Sequence, residues 1–385
     1  MPLAGLVMID DDAFAPAGSS CALLPVAGQT LVEYQVRIAR SCGADHIVAL
    51  ADRIPAPLME AFDRLRADGI AVEIARNASE AADRIHPEEG LLIIGSGIVA
   101  SRDIVATLSQ QPRATLLTVR DGAGTDHYER IDALDRWGGL ALLNGKLLRD
   151  TSAMLGDWAL GPTLLRTALQ AGAERLPAEG PGLALVRDEQ EARQIAEALA
   201  RGNSAMGSGF WQAQVVDPLV RWSLPWLVGS KISLELLMLV PAGLMAAAML
   251  AGVIGWIAPS FGLFLLAGFP WAAAKAMANI TARPDRVLRW TAEAKLPMLL
   301  VLLGFAGWTL DVPRLGWGPM VLALWAGIAL MLQPRSSARE DWIADADLIA
   351  LELLMGSLIG QPVLALMIAV AHAVISQFWL VRHPG

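Results

Sequence analysis

Cysteine is scarce. The 385 residues hold two, Cys21 and Cys42. They do not form a C-x-x-C pair, and no cysteine–histidine cluster has zinc-site spacing, so a disulfide framework and a structural zinc drop out. Both lie in the first half, which suits a reducing compartment. Positive charge is also short: 30 Lys and Arg against 38 Asp and Glu leave a net charge of −8. A polyanion such as nucleic acid is therefore excluded as the expected partner. The opening run MPLAGLVMIDDD lacks a basic n-region and meets acid early, so it is expected to be a first buried strand and not a signal peptide. Charged residues are few, at 18%, against 55% hydrophobic ones. A mean hydropathy of +0.46 is too apolar for a purely soluble enzyme.

Long apolar runs are absent up to about residue 225 and dominate from Lys231 to Val381. A helix needs about 20 apolar residues to cross a bilayer. Six spans are expected, near 232–257, 259–280, 294–310, 317–333, 346–360 and 361–380. The joins at Ile257–Ser260 and Gly360–Pro362 carry no charge, and the one at Asp311–Arg314 carries one of each sign. Arg283, Arg286, Arg289 and Lys295, then Arg335 and Arg339, then Arg382 all fall on one side if both termini are inside. The positive-inside rule then puts the first half and both termini in the cytoplasm, with the spans in a cytoplasmic (inner) membrane. Between the halves, Trp211–Trp226 mixes Trp and apolar residues with few polar ones, as an interfacial amphipathic helix does. The expected organisation is a cytoplasmic domain over 1–205, an interfacial helix and linker over 206–230, and a membrane domain over 231–385. Ionisable residues are costly inside a span and point to function. Glu235 and Lys275 fall near span ends and are free to snorkel. Glu352 and His372 fall deeper, as intramembrane polar candidates.

The first half alternates short apolar β-rich runs with helical periodicity. Leu3–Ile9, His46–Leu50, Leu91–Ile94 and Thr115–Val119 read as strands, and Leu31–Ser41, Pro57–Asp68 and Ser101–Gln110 as helices. This is the pattern of an open, mostly parallel α/β sheet of Rossmann-like type, which binds ligands beyond the carboxyl ends of its strands. The loops Asp10–Leu24 and Gly95–Ser101 are therefore the nucleotide-loop candidates, with Asp10, Asp11, Asp12, Gly18, Ser19, Gly95, Ser96 and Gly97 as their residues. Gly95–Ala100 also matches a dinucleotide fingerprint, which requires a strand before it and a helix opening on it. A tight turn that needs small residues explains the same run.

The segment Leu23–Val48 carries a resemblance. Pro25, Gly28, Leu31, Glu33, Tyr34, Gly43 and Ala44 fit a run seen in the sugar-nucleotide and cytidylyl transferase superfamily, nucleotidyltransferases of the GT-A type. The stretch Glu129–Gly145, with Trp137-Gly-Gly, is similar to their second half. The resemblance covers roughly 1–200 and implies a nucleotidyltransferase-type fold. The motifs for activity depart from it. The family's glycine-rich, Arg-containing loop after the first strand is here Asp10–Cys21, with three carboxylates, one Gly and no Arg. No base stands near Leu23 or Leu24, where the family's Lys would sit. Its metal-binding Asp would fall near Ser96. Asp10–Asp12 remain candidate Mg²⁺ or Mn²⁺ ligands if the domain is active. An acidic solvated loop is the bland alternative.

A nucleotidyltransferase-like domain followed by an interfacial helix and an all-α six-helix transmembrane domain resembles the fused enzymes that make a CDP-activated polyol and transfer it. The membrane half of those enzymes is a CDP-alcohol phosphotransferase with the signature D-x-x-D-G-x-x-A-R, eight residues, G-x-x-x-D-x-x-x-D, whose carboxylates hold the metal. With Ala282-Arg283 as the A-R, the two Asp and the Gly become Lys275, Ala278 and Asn279. Thr291, Lys295 and Leu299 or their neighbours stand for the later Gly and acids. No metal is therefore expected in either half. Lys275, Arg283, Arg286, Arg289 and Lys295 become candidates for binding phospholipid head groups.

Three roles follow. The first is a non-catalytic relative in phospholipid assembly: a scaffold, regulator or head-group binder, associated with an active lipid-synthesis enzyme or a second copy of itself. The second is an active transferase using Asp10–Asp12 and Glu293 or Glu352 as unusual ligands. The third is a nucleotide-sensing anchor or transporter-like protein with a polar path past Glu352 and His372.

Overall fold

A computed structural model describes residues 2–9, 20–122, 124–155, 158–178, 182–202, 209–229, 234–281, 286–310, 316–333 and 342–382. The chain divides into two units, Met1–Gly202 with Asn279–Pro284, and Asn203–Ala278 with Asp285–Gly385.

The first unit is built on a mixed sheet. Its main strands are β1 (Leu3–Ile9), β2 (Ala44–Ala51), β3 (Val72–Ala75), β4 (Gly90–Ile94), β5 (Thr115–Arg120), β6 (Asp135–Asn144) and β7 (Glu174–Pro177). Their spatial order is β7-β5-β6-β4-β1-β2-β3. β1 pairs in parallel with β2 and β4, and β2 with β3. β6 runs antiparallel to both β4 and β5. The central strands are near-continuous apolar runs because both faces are covered. Leu6, Val48, Leu91, Ile93, Leu116 and Ala141 share one buried cluster with Leu148, Leu164 and Leu165 from the helices.

The helices are α1 (Leu31–Ser41), α2 (Ala56–Ala67), α3 (Ala78–Arg84), α4 (Arg102–Ser109), α5 (Gly145–Met154), α6 (Leu160–Gln170) and α7 (Glu189–Gly202). Their starts are legible in the sequence. Thr30 and Glu33 form a reciprocal capping box on α1. Asn77 and Asn144 cap α3 and α5 by accepting from Glu80 N–H and Leu147 N–H, each at 2.8 Å.

The second unit is helical. A helix over 210–229 opens with a π-helical turn at Gln212–Val216, where the Gln212 amide donates to Asp217 Oδ1 at 3.1 Å, and continues as α8 (Asp217–Gly229). Trp211 packs into the core while Trp222 is exposed. There follow α9 (Leu234–Ile254), α10 (Ile257–Thr281), α11 (Arg286–Thr309), α12 (Gly318–Met331), α13 (Ala346–Leu358) and α14 (Pro362–Arg382). Six helices occupy the expected positions, and among the described residues three are long and apolar enough to cross a membrane: Leu236–Ile254, Ile257–Ala278 and Pro362–Arg382. The count of six is thus not confirmed: the apolar stretch of α11 is limited to Ala294–Thr309, and α12 and α13 have only 14 and 13 residues. At 1.5 Å per residue each is about 20 Å long, short of a hydrocarbon core of about 30 Å.

The core of this unit mixes small residues with large ones such as Phe261, Phe264 and Leu299, and other large apolar residues stay outside. Ala248, Ala323, Ala326, Ala365, Ala369 and Ala373 are buried, whereas Leu239, Trp325, Leu364, Ile375 and Phe378 are exposed. Gly307 lets α11 close on α12, since a Cβ there would fall 2.8 Å from Met320 Cα. Small residues at helix contacts and apolar residues on the periphery suit a lipid solvent. Gly252 of α9 and Gly255 just after it lie against Phe305 and Thr309 of α11, so the carboxyl ends of both helices share one end of the unit. Trp256, Trp308 and Trp317 are 62%, 67% and 73% exposed at that end, in the manner of an interfacial aromatic belt.

Candidate functional site

The carboxyl edge of the parallel strands is the first place to look for a site. Asp10, Asp11, Asp12, Gly18 and Ser19 lie outside the described residues. Gly95, Ser96 and Gly97 follow β4 at this edge. Gly95 N–H donates to Gly139 O at 2.8 Å, and the Gln35 amide on α1 donates to Gly95 O at 3.0 Å and Ile98 O at 2.8 Å. A Cβ on Gly95 would lie 3.0 Å from Gly139 O, and one on Gly97 3.0 Å from Val186 O. These glycines permit close backbone packing. The dinucleotide fingerprint is corrected here: Ile98–Ala100 is a strand paired with Leu183–Leu185, and α4 begins only at Arg102. No helix opens on the third small residue, because the backbone is taken up by a second sheet.

The resembling segment supplies the frame around this turn. Pro25–Val26 and Gln29–Thr30 form a two-residue hairpin whose corner, Ala27 and Gly28, has positive φ at both positions, as a type I′ turn requires. Glu33 is buried. It accepts from Arg64 Nε and Nη2 at 3.0 and 3.1 Å and from the Thr30 hydroxyl at 2.7 Å. Burial alone would raise its pKa, but hydrogen bonds from Arg64 and Thr30 and the charge of Arg37 bring it below the usual carboxylate range. The Tyr34 hydroxyl donates to Ala100 O at 2.8 Å, and burial pushes its pKa well above the ordinary value. The motif residues therefore act as hairpin, cap and tie for the loops above.

The antiparallel strand β6 brings a charged cluster to the same edge. Arg136 is 12% exposed. Its Nε donates to Asp121 Oδ1 at 2.6 Å and its Nη1 to Tyr128 O at 2.9 Å. Arg130 also reaches Asp121, at 3.3 Å. Arg175 joins Asp132 and Asp135 at 2.5 and 3.2 Å. Backbone N–H groups of Leu134 and Asp135, with Arg175 between them in weight, lower the Asp132 pKa to about 2. Hydrogen bonding from Arg136 likewise lowers Asp121. Sequence reasoning missed this cluster, although the alternation of Asp and Arg over 120–136 was its signal. Its acids are held by guanidinium groups. Among the described residues no group of three or more His, Cys, Asp or Glu side chains is placed to hold a metal ion.

The helical unit has its own polar residues. Lys275 on α10 and Lys295 on α11 place their Nζ atoms 5.5 and 5.6 Å from the Trp271 ring centroid, within cation–π range. Lys295 also pairs with Asp347 on α13 at 2.6 Å. Asp347 is 5% exposed, and its Oδ1 has no hydrogen-bond partner among the described residues. Arg286 and Arg289 lie in the first turn of α11, and Arg283 lies outside the described residues. Glu352 and His372, from different helices, meet at 2.6 Å between Oε1 and Nδ1, and His372 Nε2 lies 2.7 Å from Trp342 O. The pairing of Lys295 was not legible, because Asp347 sits in an acid-bearing stretch that reads as a loop.

No family model matches the sequence, and no curated protein matches it. Among solved structures, the chain is similar to one from Bacillus anthracis described as a glucose-1-phosphate thymidylyltransferase in complex with a sucrose. The identity is 15% and the TM-score 0.38, over 52% of this chain and 95% of that one.

Proposed function

We propose that this is an integral membrane protein of polar-lipid assembly, in which a nucleotidyltransferase-like domain precedes a six-pass helical unit that binds anionic lipid head groups. The observation that carries the proposal is the polarity of the helical unit. One end exposes Trp256, Trp308 and Trp317. The other places Lys275 beside Trp271 and carries Arg286 and Arg289 on the first turn of α11. Ammonium and guanidinium groups at a membrane boundary attract phosphate head groups by about 1 kcal/mol each. The same charge bias supports, on this reading, a cytoplasmic position for this end of the helical unit, in an inner membrane. On this reading α12 and α13 cross with help from their flanking connectors, and the bilayer thins locally to meet them.

Loss of the standard metal-holding carboxylates favours a scaffold, regulator or head-group binder over a transferase. The sequence pattern of the nucleotide loop and the guanidinium-held acids Asp121, Asp132 and Asp135 support the same choice. A scaffold acts beside a working lipid-synthesis enzyme or a second copy of itself.

Native mass spectrometry of the full chain, released from detergent in equimolar phosphatidylglycerol and phosphatidylcholine, tests the head-group reading. Preferential retention of the anionic lipid is expected, and the combined variant Lys275→Gln, Arg286→Gln, Arg289→Gln is expected to lose it. Equal retention of both lipids by the unaltered protein contradicts the proposal.

A further inference from the structure

Helix α13 begins at Ala346, and the four residues before it, 342–345, are not helical. Two of them are nonetheless buried, Ala344 at 0% exposed and Ile343 at 2%, while the Trp342 side chain is 40% exposed. Non-helical backbone inside a membrane protein is tolerated only where other groups satisfy its N–H and C=O. Here α14 does so. Ala344 N–H donates to Ser376 Oγ at 2.9 Å. Trp342 O lies 2.7 Å from His372 Nε2. The Trp342 and Trp379 rings meet edge to face at 5.5 Å.

The imidazole is constrained by these contacts. A carbonyl only accepts, so Nε2 of His372 must carry its hydrogen. The 2.6 Å contact between Nδ1 and Glu352 Oε1 then needs a proton between the two atoms. That proton sits on nitrogen, as imidazolium and carboxylate, or on oxygen, as neutral imidazole and carboxylic acid. With it removed, a nitrogen lone pair faces a carboxylate and the contact is repulsive.

The neighbouring charges are few. Asp345 caps α13, its Oδ1 accepting from Leu348 N–H at 2.7 Å. Asp347 faces Lys295. α12, which packs along α14, has no ionisable side chain. On α14 itself the remaining ionisable group is Arg382, at the last turn.

We propose that Glu352 and His372 form a proton-binding site that latches the 342–345 connector to α14, and that removing the shared proton frees this connector while the helices stay in place. The ring sits between the carboxylate and the connector, so a lost Glu352 contact lets it turn and withdraw its N–H from Trp342 O. Ser376 and the Trp342–Trp379 contact remain as ties that do not titrate.

Hydrogen–deuterium exchange of the full chain in lipid nanodiscs, corrected for the intrinsic pH dependence of exchange, tests this between pH 5 and pH 9. Protection of the amides over 342–345 is expected to fall by at least about tenfold as pH rises, the loss of a charge-assisted hydrogen bond. Peptides from α12 and α14 are expected to stay unchanged. In Glu352→Gln the amide N–H donates to Nδ1 and does not titrate, so protection is expected to stay high across the range. Ser376→Ala and Asp345→Asn are expected to keep the pH step, Ser376→Ala from a lower baseline. A flat profile in the unaltered protein, or a full step in Glu352→Gln, overturns the proposal. Should Glu352→Gln not fold, a step lost in Asp345→Asn but present in the unaltered protein reassigns the proton to Asp345 and equally overturns it.

Discussion

Lys295 on α11 holds Asp347 on α13 in a 2.6 Å ion pair beside the Trp271 ring. Both side chains are largely buried, so neither can replace its partner with bulk water. Removing one member of such a pair leaves an uncompensated charge and costs about 3–5 kcal/mol, whereas replacing both with apolar groups is often neutral. Lys295→Ala is therefore expected to lower the unfolding midpoint of the detergent-solubilised protein sharply. Lys295→Met with Asp347→Leu is expected to recover most of it, as scanning fluorimetry will report.

The Glu33 network gives the first unit an acid-sensitive element. Its folded pKa is depressed, so its contribution to stability is present above the unfolded carboxylate pKa and is lost as pH falls through the folded value. Glu33→Gln is expected to be less stable at neutral pH and to show a shallower loss of stability on acidification. Thr30→Ala removes the cap together with one hydrogen bond to the Glu33 carboxylate, leaves the Arg64 contacts, and is expected to cost about 1 kcal/mol. Thermal unfolding monitored between pH 3 and 7 checks both.

Gly139 is a positive-φ corner packed directly on Ile98: a Cβ there would fall 2.5 Å from Ile98 Cγ1. Gly139→Ala is expected to destabilise the first unit by about 2–3 kcal/mol, the range of overpacking and backbone strain. Adding Ile98→Ala, which removes both Cγ1 and Cδ1, is expected to relieve only the steric share. Chemical denaturation followed by circular dichroism measures the difference.

Asp132 takes two backbone N–H groups and Arg175, and its pKa falls to about 2. Arg175→Ala is expected to raise it without restoring the ordinary value, because the backbone donors remain. Carboxyl-carbon NMR with selectively labelled aspartate reads the shift.

Much of the fold was legible because it rests on local chemistry. β1, α1 and the helices of the second half announced themselves through apolar periodicity, and Thr30 with Glu33 marked a helix start. The antiparallel course of β6 was not legible, since Asp135–Asn144 is apolar enough to belong to either direction. The short lengths of α12 and α13 were legible, since the apolar runs over 317–333 and 346–360 end within two residues of the helices. At the candidate sites, Glu352 and His372 stood out singly as ionisable residues in apolar runs. Their pairing needed the packing of α13 on α14. Lys295 was legible as a charge but not as half of a pair, because Asp347 is 52 residues away.

The proposed function is that of a membrane protein with a nucleotidyltransferase-like first unit that does not bind nucleotides through a metal. Titration calorimetry of the folded, detergent-purified chain with CTP and with a CDP-alcohol, each with and without Mg²⁺ or Mn²⁺, tests it most directly. The account predicts no metal-dependent binding of either nucleotide. Micromolar binding that requires the metal would contradict it and would direct mutagenesis to Asp10, Asp11, Asp12 and Glu293.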